Sequence, residues 1–196
     1  MKQKKRISLR SICLLAGIGF LAAGAVVLAA WQLGIRSSAQ KAETYVNTLR
    51  ALMPEPQSAV HEVWNNASMP VLSIEGTDFL GILDLPSHGS SLPVCAHWGK
   101  PSRYPCCFSG SIYDGTMQIG GTSQQGQYDF YREISAGDPV FFTDITGNRY
   151  AYTVKDIRYR KHADQDALQS TDAALKLFIK NVYGFDYVII FCDVPE

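Results

Sequence analysis

No acidic residue precedes Arg36, and no charge of either sign lies between Ser11 and Ile35. Such a stretch is excluded as a solvated surface segment, since Gln32 is its only strongly polar side chain. At about 1.5 Å rise per residue it can cross a hydrocarbon core roughly 30 Å thick. Five basic residues, Lys2, Lys4, Lys5, Arg6 and Arg10, stand before it. A cleaved signal peptide is the rival reading, with the small residues of LAAGA (21–25) as the peptidase site. A cleavable apolar region usually runs about 7–15 residues, and this one is longer. The expectation is an uncleaved signal anchor, single-pass in the cell membrane. The positive-inside rule puts its N-terminus in the cytoplasm and the bulk of the chain outside.

The remainder lacks a basic surplus. Six of the 18 basic residues lie at or before Arg36, so 12 remain against 18 acidic ones, a net of −6. Phosphate binding needs a basic surface, so nucleic acid is excluded as a partner. Also missing are G-x-S-x-G, H-E-x-x-H, a P-loop, a dinucleotide fingerprint and any internal repeat. Cys106 and Cys107 are adjacent and have no second close pair, which argues against a zinc site. No metal and no cofactor is expected. Beyond the anchor stand Cys95, Cys106, Cys107 and Cys192, and in an oxidising compartment four cysteines permit three full pairings.

What is present divides into four parts: a basic tail 1–10, the anchor 11–35, a juxtamembrane helix and linker 36–68, and a β domain 69–196. Ala42, Tyr45, Val46, Leu49 and Leu52 recur at helical spacing before Pro54. Short apolar runs at 69–76, 78–86, 91–96 and 115–121, punctuated by Gly, Pro and Ser, read as strands. DPVFFTDITGNRYAYTVKDIRY (138–159) reads as a β-hairpin turning at Thr146, Gly147 and Asn148. STDAALKLFIKNVYG (170–184) has Ala174, Leu177, Phe178 and Val182 on one helical face and Gly184 as a stop, which predicts a late helix. The final strand is 186–192. These elements predict a mainly β fold, a closed or partly open barrel.

Cys192 ends that strand. A nucleophilic cysteine must be a thiolate, usually beside a histidine or another cation. His61, His88, His97 and His162 form no local motif with it. Catalytic nucleophile, buried thiol and disulfide half all remain open at this level.

The order of segments resembles the sortases, membrane-anchored cysteine transpeptidases of Gram-positive bacteria. The resemblance runs from about Val71 to Cys192. TDFLGILDLPSHGSSLPV (77–94) is similar to the early sortase strands, and YPCCFSGSIYDGTMQIGGTS (104–123) to the segment leading to the family histidine. REISAGDPVFFTDITGNRYAYTVKDI (132–157) matches the Leu-x-x-Gly-Asp element with its strand, turn and strand. FDYVIIFCD (185–193) lies where the family carries its Thr-Leu-x-Thr-Cys strand.

The resemblance implies a sortase-like β-barrel in which Cys192 attacks the Thr–Gly-type bond of a sorting-signal peptide of a surface protein. A thioester forms, and an amine from a cell-wall precursor or a pilin resolves it. A histidine supplies acid–base function and an arginine steadies the oxyanion. The histidine position falls on Thr122, at a separation from Cys192 that otherwise suits the family. The family arginine lies on the strand after the cysteine, and the sequence stops at Glu196 before such a strand. The expectation is a barrel without its closing strand, its activity doubtful. The alternative is a catalytically inactive sortase-like extracellular domain that binds peptide or protein. His97, His162, Arg103, Arg158 and Arg160 are expected at the surface. Cys106 matches the cysteine of the family's Pro-Cys-Arg-Tyr phrase, and a Cys95–Cys106 or Cys95–Cys107 disulfide would close a loop of about a dozen residues.

Overall fold

Among the described residues, runs of β-branched and aromatic residues, cut by Gly, Pro and Asp, form ten strands behind one long helix. The computed structural model describes residues 9–59, 68–99, 103–162, 173–184 and 186–195. Helix α1 spans Leu9–Leu52 and is long and apolar enough over Ala16–Leu52 to cross a membrane, by length and composition. It ends where Met53 N donates to Leu49 O (2.8 Å) and Pro54, which has no N–H, follows. The chain separates into two compact units, Met1–Ser37 and Ser38–Glu196. The first is helical where described, with apolar side chains such as Phe20, Leu21, Val26 and Leu33 exposed.

The second unit holds the strands β1 (Gln57–Ser58), β2 (Leu72–Ile74), β3 (Thr77–Leu85), β4 (Ser90–Cys95), β5 (Cys106–Ser109), β6 (Met117–Thr122), β7 (Pro139–Asp144), β8 (Asn148–Arg160), β9 (Leu175–Lys180) and β10 (Tyr187–Asp193). Eight of them close a ring in the order β3, β4, β5, β6, β9, β10, β8, β7 and back to β3. Within the ring, β4/β5 and β6/β9 run parallel and the other seams antiparallel. β1 and β2 pair outside it, on β8 and β3.

Alternation along each strand sorts side chains into an interior and an outer layer. On β10, Val188, Ile190 and Cys192 join the central core, while Ile189 and Phe191 pack outside with Ala173 and Phe178. Met117, Ile119, Leu175 and Leu177 fill the same interior with Tyr128, Phe142 and Tyr152. A second outer cluster seats the end of α1: Ala42, Tyr45, Val46 and Leu49 lie on Phe79, Ile82, Cys95, Tyr104 and Cys106. Full burial of each large apolar side chain contributes about 1.5–3 kcal/mol.

Two local devices hold the β3/β7/β8 corner. Gly81 has φ +156°, and a Cβ there would stand 2.0 Å from Thr143 O, so only glycine lets β3 and β7 meet at this bulge. The hairpin turn is organised by Asp144, fully buried, whose Oδ1 accepts from Thr146 N (2.9 Å), Thr146 Oγ1 (2.6 Å) and Asn148 N (3.0 Å).

Two expectations are corrected. The late helix expected at 170–184 is strand β9 from Leu175; residues 170–172 lie outside the described region. β9 is flanked by β6 and β10 and covered on both faces, so its apolar run is continuous and mimics a helical face. The barrel is also closed rather than open, because β10 itself bridges β8 and β9. Among the described residues the one α-helix is the early one.

Candidate functional site

The parallel seam between β6 and β9 fixes which residues share a barrel end. Met117 is registered with Leu175 at its start and Thr122 with Lys180 at its finish. β10 returns antiparallel, setting Tyr187 opposite Lys180 and Cys192 opposite Leu175. Thr122, Lys180 and Tyr187 thus stand together at one end. Cys192 stands at the other, five residues or about 16 Å along the strands.

Cys192 has no solvent exposure and points into the central core. Burial pushes its thiol pKa well up, and the Asp193 carboxylate adds to the rise. Among the described residues no cation acts against that shift. Its electrostatic neighbours include the hydroxyl-bearing rings of Tyr128 and Tyr152, both fully enclosed. A neutral thiol among tyrosines is the outcome.

None of the sequence-selected partners joins it. His88 is half-buried, stacked on Phe130 (5.1 Å) with Nε2 3.2 Å from Asp138 Oδ2. His97 is exposed, 3.8 Å from Asp78. His61 lies outside the described residues. Arg158 donates to Asp156 (2.7 Å) and lies 4.3 Å over the Phe191 ring, on the opposite face of β10 from Cys192. Arg160 is registered with Tyr187. Arg103 lines a separate hollow with Cys95 and Cys106.

The Thr122 end has its own chemistry. Thr122 N donates to Gln127 Oε1 (2.8 Å), while Thr122 Oγ1 is enclosed without a partner among the described residues. Beyond it Lys180, Lys161, His162, Asn181, Gly184, Asp186 and Tyr187 line a cavity of about 350 Å³. Asn181 Nδ2 donates to Asp186 Oδ1 (2.7 Å), and the cavity presents the Asp186 carboxylate alongside the Lys161 and Lys180 ammonium groups.

Next to this end, on the outer face, runs an aromatic row that sequence reasoning missed. Trp98 meets Phe108 edge-on at 5.3 Å, Phe108 lies 6.2 Å from Phe178, and Phe178 stacks on Tyr187 at 5.3 Å. Trp98 packs against Gly120, where a Cβ would come within 2.2 Å of its ring. The glycine pair in QIGG was the available signal, because a small residue on a strand face marks a close approach. Trp98 and Phe108 remain partly exposed, so the row is an apolar surface open to solvent.

The other cysteines separate by face. Cys95 and Cys106 are direct register partners in one outer cluster, where Cys106 Sγ donates to Tyr104 O (3.2 Å). Cys107 turns away, toward Ser109 O and Gly110 O (both 3.6 Å). All are thiols in this structure. Among the described residues no cluster of three His, Cys, Asp or Glu side chains is placed to hold a metal ion.

No model of a known protein family matches this chain, and no curated protein does. Solved structures do match. Clostridium perfringens sortase C, solved with the C-terminal cell wall sorting motif, aligns at TM-score 0.54 and 14% identity, covering 83% of this chain and 88% of that one. Sortase A from Corynebacterium diphtheriae aligns at TM-score 0.53 and 15% identity, covering 83% and 84%. Sortase C-1 from Actinomyces oris aligns at 0.52 and 18% identity, covering 83% and 99%. The chain therefore has a sortase-like fold.

Proposed function

We propose that this chain is a membrane-anchored, sortase-like domain displayed outside the cell that binds an extended surface-protein peptide and does not turn it over. The observation that carries this reading is the position of Cys192, the residue proposed as nucleophile from sequence: unexposed, inside the barrel and five strand positions from Thr122. Attack on a peptide carbonyl needs an exposed thiolate beside an acid–base group. Here burial holds the thiol neutral. No described cysteine is registered with Thr122: Cys106 pairs with Gly120 two positions away and lies in the outer cluster under α1, and threonine has no proton to give near neutral pH. Without a thioester, a cell-wall precursor or pilin amine has nothing to resolve. Cys192 is then a core thiol.

Binding has support of a different kind. The aromatic row offers apolar contact along β6, β9 and β10, and the adjoining cavity offers Lys161, Lys180 and His162 to polar groups of the peptide. The uncharged stretch 11–35 behind a basic tail is the proposed anchor.

The test exposes the folded chain, in detergent, to a peptide vinyl sulfone carrying threonine before the electrophile, followed by intact mass. The expected result is no adduct at Cys192, with saturable binding of the unreactive peptide by fluorescence polarisation. A stoichiometric adduct that disappears in Cys192→Ala would establish the transpeptidase reading instead.

A further inference from the structure

The β4/β5 seam is the weakest in the ring. Every other ring seam has at least three registered pairs, whereas β4 and β5 share one, Cys95 with Cys106, extended by the bond from Cys95 N to Pro105 O (2.8 Å). Both cysteines are on the outer face, under Tyr45 of α1 and beside Tyr104 and Phe79. Partners on adjacent strands have Cα atoms about 4.8 Å apart, inside the ~4.4–6.8 Å span of a disulfide. Both side chains belong to the same outer cluster, which puts the two Sγ atoms on the same side of the seam.

We infer that Cys95 and Cys106 are joined by a disulfide in the protein outside the cell, a covalent clasp at the one seam the backbone scarcely ties. The sequence alone left Cys106 and Cys107 as equal candidates; the structure separates them, since Cys107 faces its own Ser109–Gly110 turn. A hollow of about 290 Å³ opens onto the pair, lined by both cysteines with His97, Arg103 and Tyr104. It is the route by which an oxidant reaches sulfurs that are otherwise 6% and 4% exposed.

The chemistry balances as thiol–disulfide exchange. One thiolate attacks a sulfur of an oxidant disulfide and releases its first thiol, giving a mixed disulfide. The second cysteine attacks the protein sulfur and releases the other thiol. Two S–H bonds of the protein are lost, one S–S bond forms, and two protons and two electrons pass to the oxidant. In the cell that oxidant is the disulfide of an exported thiol–disulfide oxidoreductase; in the test it is glutathione disulfide.

The inference rests on the external location proposed above, so the experiment has two arms. Purified full-length protein is equilibrated in glutathione redox buffers, alkylated, and digested with trypsin, which cuts after Arg103 and so separates the Cys95 peptide from the Cys106 peptide. The expected product is a cross-linked pair retained in Cys107→Ser and lost in Cys106→Ser. Oxidised protein unfolds roughly 6–12 °C above reduced protein, a shift abolished in Cys95→Ser. A pair that survives Cys106→Ser but not Cys107→Ser, or free thiols in oxidising buffer, would overturn the assignment. The second arm alkylates intact cells before lysis. Bridged protein there supports the whole inference. Reduced protein in cells with a bridge formed in vitro would overturn the external location and leave the geometry standing.

Discussion

Adding a single methyl group at Gly120 tests whether Trp98 is part of the barrel wall. An alanine Cβ would stand 2.2 Å from the indole ring, far inside contact distance, and position 120 is in the middle of β6 and cannot move aside. The ring must leave. Trp98 is 37% exposed, so roughly 150 Å² of its surface is covered, an upper bound of about 4 kcal/mol at ~25 cal/mol per Å². Part of the ring stays in contact after a partial swing, and alanine in a strand recovers about 0.5–1 kcal/mol over glycine. The expected net loss is about 2 kcal/mol, a fall in Tm of roughly 4–8 °C for a unit of this size. The assay is urea unfolding of the wild type, Gly120→Ala, Trp98→Ala and the double variant. If the clash is the cause, Gly120→Ala is neutral or stabilising once Trp98 is already alanine, and the coupling is about 2 kcal/mol. An equal loss in both backgrounds would refute the argument.

Two further outcomes follow from the polar groups. Asp144→Ala removes the acceptor of the β7–β8 turn and strands Thr146 N, Asn148 N and the Thr146 hydroxyl; a loss of about 2–4 kcal/mol in chemical denaturation is expected, with Asp144→Asn losing less. Burial pushes the Asp138 carboxyl up, but hydrogen bonds from Ser135 N and Ser87 and the nearby His88 outweigh it and hold it below the usual range. A folded pKa below the unfolded value means the contribution is complete above about pH 4 and fades as pH falls through the folded value. Asp138→Asn therefore flattens the acid limb of a stability–pH profile and leaves its neutral limb parallel to wild type.

The hairpin at 138–159 was legible because its information is local: a strand, a Gly-Asn turn and a strand. So was the end of α1, where Tyr45, Val46 and Leu49 repeat at helical spacing and Pro54 stops it. β9 was not legible, since Leu175, Leu177 and Ile179 face the interior while Phe178 is covered by aromatic neighbours outside. Burial on both faces erases the two-residue period, and only the neighbours β6 and β10, which belong to other stretches of the chain, reveal it. The barrel end at which Cys192 stands was hidden for the same reason. LKLFIK and YVIIFCD look alike as strands, and which of them runs parallel beside Thr122 is decided by long-range pairing that neither segment encodes by itself. The aromatic row was hidden too, its four rings coming from a loop and three strands.

The place of β10 in the ring governs the order in which this domain can be completed. β3 to β6 can zip in sequence from one side, and β7 with β8 extends the other side from β3. β9 attaches to β6 only after the whole β7–β8 hairpin has intervened in the chain. The two free margins, β8 and β9, then wait for the same segment, residues 187–193, which satisfies both at once. Until that segment has been synthesised, both margins are open to pairing with another chain. β10 is the keystone of the ring, and a nascent chain of this kind would need its open margins shielded up to the moment the keystone arrives.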